Sequence, residues 1–370
     1  MRFKANRKKL LAAFDAVSYA IPTRSPNPIL QNVKLEIGEV STMYATDLEI
    51  GIAYIVDGIT AEKPGDVILP TRIVQILKTM NDEEVAISCE DNQILIKAQR
   101  SQFKLPSENP DLFPSLDEFT GDDFYRIAAD DLRTGIKRTV FATDPQSTRY
   151  ALGGVLFEAH GNSISMVGTD GRRLALQTVS IEYNGKPSVE NVVIPAKALK
   201  LIDRNLVDEV EKPCIRVLKQ NAVQVRTSKA VIYARLVEGR FPRYQDVFPK
   251  ECEARIPLLI GPLQMAVEQA TIVTSQESRG VDYLFADGLL TLNTIAADSG
   301  SSNVEMPIEY ASKPISITFD PRFLLDALKV LNPDETLELE LIDAKNAAVF
   351  KLGDDFFYVL MPLTKDDAAK

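Results

Sequence analysis

Residues 167–176 read Val-Gly-Thr-Asp-Gly-Arg-Arg-Leu-Ala-Leu, and they hold the densest set of reactive groups in the chain. An acid, two guanidiniums and a glycine turn within five residues could form a catalytic centre, a phosphate clamp or a decorated hairpin. An enzyme built on Asp170 and Arg173 needs a second polar constellation converging nearby, and the linear sequence offers none. There is no Walker loop, strand-linked GxGxxG, nucleophile elbow or HExxH. One histidine, His160 in Phe-Glu-Ala-His-Gly, reads as a turn residue. Three widely spaced cysteines, Cys89, Cys214 and Cys252, suit neither a zinc site nor a disulfide framework. They point to reduced thiols in a cytoplasmic compartment. No cofactor is expected.

The elements around that stretch recur. Aligning Pro70, Pro195 and Asp320 gives intervals of 125 residues in both steps. In each copy a β-branched run ends in Pro or Asp, a helix-start signal. Apolar residues then follow at helical spacing: Ile73, Ile76, Leu77; Leu199, Leu201, Ile202; Leu324, Leu325, Leu328. Alternating strands with Asp, Asn, Gln or Gly turns come next. Upstream of each motif lies another helix-like stretch, at Arg7, Ala129 and Gly261, leading into further strands. The predicted unit is α-β-β-β-α-β-β-β. Three such α+β units in a row are expected, over residues 1–121, 122–245 and 246–370.

The repeat changes the reading of the opening stretch. Thr46-Asp47 stands where Thr169-Asp170 stands, and Ala297-Asp298 holds the place in the third copy. An acid there first means turn chemistry. What the middle copy adds is Gly171, Arg172, Arg173 and Leu174.

Charge is uneven. The formal total is −10, distributed as −4, +5 and −11 over the three segments. A basic middle within an acidic chain can present a local positive face. Helical stretches carry Lys4, Arg7, Lys8 and Lys9; Arg133, Lys137 and Arg138; Lys197, Lys200 and Arg204; and, more sparsely, Arg72 with Lys78 and Arg322 with Lys329. The stretch at 261–271 has no basic residue and carries Glu268. No apolar run approaches the roughly 18–20 residues that span a bilayer, and the basic N-terminus lacks a signal-peptide pattern, so no membrane contact is expected.

Ile-Pro-Thr-Arg-Ser-Pro-Asn-Pro (21–28), Thr-Asp-Gly-Arg-Arg-Leu-Ala-Leu (169–176), Gly-Arg-Phe-Pro-Arg-Tyr (239–244), Ser-Arg-Gly-Val (278–281) and Tyr-Val-Leu-Met-Pro-Leu (358–363) carry a specific resemblance. In order and spacing the chain resembles the bacterial DNA polymerase III beta subunits, the sliding clamps, from residue 1 to about 363. The resemblance implies a non-catalytic homodimer that closes head to tail into a six-domain ring. Helices line its hole, sheets form its rim, and duplex DNA runs through it without sequence readout. It implies DNA contacts at Arg24, Arg72, Gln146, Arg149, Tyr150 and Lys197. It implies a peptide groove between the second and third domains, lined by Leu152, Thr169, Gly171, Arg172, Arg173, Leu174, Pro242, Val247, Ala348, Val359, Leu360, Met361, Pro362 and Leu363. On this reading Gly171 permits close approach, the arginines frame the entrance and Leu174 lines the floor. The implied partners are the replicative polymerase, the clamp loader, and mismatch-repair and translesion proteins. Phe103 and Leu105 are implied to meet Ile272 and Val273 of a second copy. One departure is the tail, Thr364–Lys370, where the family usually stops soon after its Met-Pro pair.

Overall fold

The structure, a computed structural model, describes residues 1–147, 150–186, 191–208, 210–249, 251–274, 279–296 and 300–363; the Tyr150 side chain also falls outside the description. Arg149, the Ala297-Asp298 pair and the Thr364–Lys370 tail therefore lie outside the described residues.

The first repeat runs β1 (Arg2–Asn6), α1 (Arg7–Val17), β2 (Asn32–Ile37), β3 (Thr42–Thr46), β4 (Ile50–Ile55), β5 (Ile59–Lys63), β6 (Gly65–Pro70), α2 (Ile73–Thr79), β7 (Glu84–Glu90), β8 (Gln93–Lys97) and β9 (Gln102–Pro106). The second runs β10 (Phe124–Arg126), α3 (Ala129–Val140), β11 (Gly154–His160), β12 (Ser163–Thr169), β13 (Arg173–Ser180), β14 (Glu182–Asn184), β15 (Val192–Pro195), α4 (Ala196–Arg204), β16 (Cys214–Leu218), β17 (Ala222–Arg226) and β18 (Ala230–Arg235). The third runs β19 (Ala254–Leu259), α5 (Ile260–Thr271), β20 (Val281–Ala286), β21 (Leu289–Ala296), β22 (Gly300–Pro307), β23 (Ile315–Phe319), α6 (Pro321–Leu328), β24 (Thr336–Leu341), β25 (Ala348–Leu352) and β26 (Phe356–Leu360).

Each repeat thus opens on a strand that the predicted unit lacked. These leading strands are short or weakly patterned: β1 buries only Phe3 and Ala5, and β10 has three residues. β19 contains Pro257, which an edge strand tolerates. Pro195 and Asp320 sit at the N-caps of α4 and α6, and Asp320 accepts from the Arg322 backbone N–H. Pro70 differs: it ends β6, and Thr71 and Arg72 intervene before α2. His160 ends β11 rather than standing in a turn.

By contacts the chain divides into two compact units that cut across the repeats. One holds Met1–Arg133, Ser180–Glu190 and Ile194–Leu236; the other holds Thr134–Val179, Asn191–Val193 and Val237–Lys370. The first unit contains a five-stranded sheet, β5-β1-β7-β8-β9, and a nine-stranded sheet, β14-β10-β16-β17-β18-β4-β3-β2-β6. The second contains an eight-stranded sheet, β15-β11-β12-β13-β26-β25-β24-β19, and a four-stranded one, β22-β21-β20-β23.

Two seams join successive repeats inside these sheets. β4 pairs antiparallel with β18, Ile52 opposite Ile232. β13 pairs antiparallel with β26, Leu174 opposite Val359. In both, the strand after the Thr-Asp hairpin of one repeat meets the last strand of the next. The same two positions in the remaining places, β22 and β9, stand at sheet edges.

Helices lie over the sheets through apolar faces. α4 buries Ala196, Ala198, Leu199, Leu201 and Ile202, while Lys197 and Lys200 stay exposed. α3 approaches β12 closely enough to need glycine twice. A Cβ on Gly135 would stand 2.3 Å from Met166 Sδ, and one on Gly168 would stand 2.3 Å from the Thr139 carbonyl oxygen. A mid-helix glycine costs about 1 kcal/mol against alanine, and here the close packing requires it.

Candidate functional site

The Thr-Asp hairpins have the same internal wiring in the first two repeats. Asp47 Oδ1 accepts from the N–H groups of Glu49 and Ile50; Asp170 Oδ1 accepts from those of Arg172 and Arg173. Thr46 and Thr169 hydroxyls each donate to the carbonyl four residues on and accept from the N–H two residues on. Asp170 Oδ2 is taken by Arg173 Nε at 3.0 Å. This carboxylate closes a turn and pairs a guanidinium, so it is not poised as a catalytic acid. The glycine is there for its backbone: φ is +89° at Gly171, and a Cβ would meet nothing within 4 Å. The first copy holds the equivalent Leu48 at φ +77°.

The two arginines part company. Arg172 is exposed. Arg173 is buried, its side chain 8% exposed, and does not frame an entrance. Its Nη1 reaches Asp326 Oδ2 of α6 at 2.7 Å, and its Nη2 donates to the Phe141 carbonyl at 2.9 Å. The guanidinium stacks over Phe323 and Phe141, 4.6 and 5.4 Å from their centroids. Burial works against its charge, but the Asp326 hydrogen bond and the Asp170 field outweigh it and raise its pKa. Arg173 is a pin between hairpin and helix.

Beyond the pin, strand alternation builds an apolar sheet face. Leu156, Val167, Leu174, Val193, Ala347, Val349 and Val359 cluster with Tyr244, and Leu176, Phe241, Phe248, Val237 and Phe357 pack around them. Phe248 meets Phe357 edge to face, centroids 6.0 Å apart. At the rim, Val247 and Met361 are 42% and 45% exposed, and Gly171, Arg172 and Pro242 are exposed too. Thr169 is buried within its hairpin, and Leu152 is buried in a short 3-10 turn, Tyr150–Gly153. Met361 N–H donates to the Arg172 carbonyl and Leu363 N–H to that of Thr318, which fixes the segment carrying Pro362. Ala348 and Leu360 depart from the expected lining. They pair across β25 and β26 but belong to the core on the opposite sheet face, because neighbours along a strand point to opposite sides.

The first seam fills the equivalent face differently. Three residues before each hairpin acid stand Tyr44 and Val167, and their cross-strand partners are Lys34 and Leu156. Lys34 Nζ pairs with Glu36 at 2.7 Å and Asp66 at 3.1 Å, and the Tyr44 hydroxyl donates to Glu36 at 2.9 Å. Burial, then Glu36, pushes the Tyr44 pKa up to about 12. Leu116 packs on Gly51, where a Cβ would come within 2.6 Å of it. A charged network, the leucine on Gly51, and Ile29, Leu30, Ile68 and Phe113 packed with Tyr44 occupy that face in the first copy.

The basic residues also sort into groups. Arg7 donates to the Leu77 and Asp82 carbonyls. Arg133 pairs with Asp130 and donates to the Leu206 carbonyl. Arg138 is half-buried on Gln177 and Phe356, and Arg204 pairs with Asp15 at 3.0 Å. Lys197 is ion-paired with Asp47. Lys8, Lys9, Arg24, Arg72, Lys78, Lys137 and Lys200 are exposed and have no ion pair among the described residues. Arg72 lines a cavity of about 1280 Å³ against α1 and α2, whose wall includes Thr23 beside Arg24. Gln146 is exposed in a turn closed by Asp144. Phe103 and Leu105 are half-buried on edge strand β9; Ile272, 79% exposed, and half-buried Val273 follow α5.

Three consecutive α+β units joined sheet to sheet define a three-domain clamp architecture. Family models for the DNA polymerase III beta subunit match its N-terminal domain at residues 1–117, its central domain at 126–243 and its C-terminal domain at 245–364. The beta sliding clamp of Pseudomonas aeruginosa is 30% identical, over 98% of this chain and 100% of that one. A crystal structure of a Pseudomonas aeruginosa sliding clamp bound to griselimycin matches with TM-score 0.89 at 29% identity, over 98% of this chain and 99% of that one. The Bacillus subtilis clamp shares the fold, with TM-score 0.89 at 22% identity over 99% of both chains. The chain belongs to the DNA polymerase III beta subunit family, the beta sliding clamps, and is a non-catalytic subunit.

Proposed function

We propose that two copies of this chain close head to tail into a ring around duplex DNA, with domains bounded near residues 121 and 245, and tether the replicative polymerase to it. The observation that carries this reading is the pattern of seams. Both seams join a post-hairpin strand to the last strand of the next repeat. The unpaired members of that series are β22 and β9. Their pairing between copies is heterologous, and it closes after two chains. The half-buried Phe103 and Leu105 on β9 and the exposed Ile272 supply apolar contact beside those edges, and exposed edges otherwise invite uncontrolled pairing.

Sliding requires phosphate attraction without base readout. Exposed lysines on α2, α3 and α4 suit that, while ion pairs at Lys197 and Arg204 keep the attraction weak. Arg24, Arg72, Gln146, Arg149, Tyr150 and Lys197 are the proposed DNA contacts. Unpaired cysteines suit a reducing cytoplasm, and no helix among the described residues is long and apolar enough to cross a membrane.

The sheet face around Leu174, rimmed by Val247 and Met361, is the proposed groove for partner peptides with leucine and phenylalanine anchors. Polymerase, clamp loader, mismatch-repair and translesion proteins would compete for it, and griselimycin, found on the Pseudomonas aeruginosa clamp, is a candidate competitor here. Deleting Met361–Lys370 removes Met361 from the rim, together with the Met361 and Leu363 bonds to the Arg172 and Thr318 carbonyls. Fluorescence polarisation with a labelled polymerase peptide then shows binding abolished, while light scattering still shows a dimer. Unchanged peptide affinity would refute the assignment.

A further inference from the structure

Two of the proposed groove residues, Pro242 and Val247, lie on a segment with little secondary structure of its own. A single 3-10 turn, Tyr244–Val247, is its regular part. Tyr244 stands in the middle. Its ring belongs to the apolar cluster, only 7% of the residue is exposed, and its hydroxyl donates to Glu158 Oε2 at 2.5 Å. Glu158 is on β11, two residues from Leu156, so both point to the groove side of the sheet.

The carboxylate is itself held. Its Oε1 accepts from Asn191 Nδ2 at 3.1 Å, and His160 Nε2, from the next same-face position on β11, lies 3.2 Å from Oε2. The side chain is 14% exposed, whereas that of His160 is 57% exposed. Burial, then the bond to Glu158, pushes the Tyr244 pKa up, so the hydroxyl remains a donor at neutral pH. A charge-assisted bond of this kind is short and directional. It ties the 3-10 turn that ends at Val247 to β11, and so to the sheet face that carries Leu174.

We propose that Glu158 is a positioning residue for the peptide groove, acting through Tyr244 to fix the wall that carries Pro242 and Val247. The proposal rests on the groove reading above. Glu158 touches no partner peptide itself. It holds the wall in place before binding, so that the peptide does not have to order it.

The test measures polarisation of a fluorescein-labelled pentapeptide, Ala-Leu-Asp-Leu-Phe, on the full-length dimer. Tyr244→Phe keeps the ring and loses the anchor; Glu158→Ala loses the acceptor. Each weakens binding roughly tenfold, the size expected for a hydrogen bond to a charged group. Glu158→Gln, which keeps an acceptor oxygen, recovers affinity to within about threefold of the unaltered chain. The double variant binds no worse than the weaker single one, because the two act as one unit. A purely stabilising role for Glu158 would not give that rescue and that non-additivity. Leu174→Glu is the control for the groove itself. If Leu174→Glu abolishes binding while Tyr244→Phe and Glu158→Ala bind within about twofold of the unaltered chain, the positioning role is overturned and the groove stands. If Leu174→Glu binds normally, the groove reading falls and this inference with it. Should Glu158→Ala unfold, Tyr244→Phe and Glu158→Gln still decide the matter.

Discussion

Replacing Arg173 with alanine lowers stability by roughly 2–4 kcal/mol and weakens peptide binding at least tenfold. Breaking a buried ion pair by removing one partner costs about 3–5 kcal/mol. The lower figure reflects Asp326, whose side chain is 45% exposed and gains solvent screening. Asp170 suffers more, because its side chain is 15% exposed and would lose its Arg173 partner. The hairpin that carries Gly171 and Leu174 then loses its tie to α6. Arg173→Lys does not rescue, since one ammonium cannot serve Asp170, Asp326 and the Phe141 carbonyl at once while stacking on Phe323. Denaturant unfolding and peptide polarisation check both effects. A stability within about 0.5 kcal/mol of the unaltered chain would show that the pin is ornamental.

Phe103→Asp converts the dimer into a monomer. Phe103 faces the sheet side of β9 where it pairs with the fully buried Ile96 on β8. In the proposed ring that edge is covered by the second copy, so the substitution places an unpaired carboxylate in an apolar contact. The cost is several kcal/mol at each of two interfaces. Light scattering at micromolar concentration then gives 41.0 kDa, the mass of one chain, instead of twice that. A dimeric mass at the same concentration would contradict the placement of β9 at the interface.

The sequence is informative where structure is local and repeated. The 125-residue interval marks three helices by their apolar spacing, and Thr46-Asp47 beside Thr169-Asp170 announces one hairpin design used twice. Short leading strands escape it, since Phe3 and Ala5 alone make too brief an alternation. Long-range ion pairs escape it entirely. Arg173 meets Asp326 across 153 positions, Lys197 meets Asp47 across 150, and Tyr244 meets Glu158 across 86. No local pattern distinguishes a buried, paired arginine from an exposed one, so Arg173 reads as a rim residue beside Arg172. The misplacement of Ala348 and Leu360 is different. Val359 and Leu360 are adjacent on one strand and cannot share a face, so strict alternation would have separated them. Aromatic residues at 241, 244 and 248 were visible as well, and their spacing beside Pro242 is the signal for the wall they form.

The most direct test of a closed, sliding ring uses DNA topology. The chain is loaded with its clamp loader onto nicked circular DNA, washed in high salt, and the DNA is then linearised. A ring held by topology stays on the circle at a salt concentration that screens phosphate contacts, and it runs off the linear form within the same wash. Equal loss from circle and line, governed by salt alone, would mean that contact energy holds the protein and that it does not encircle DNA.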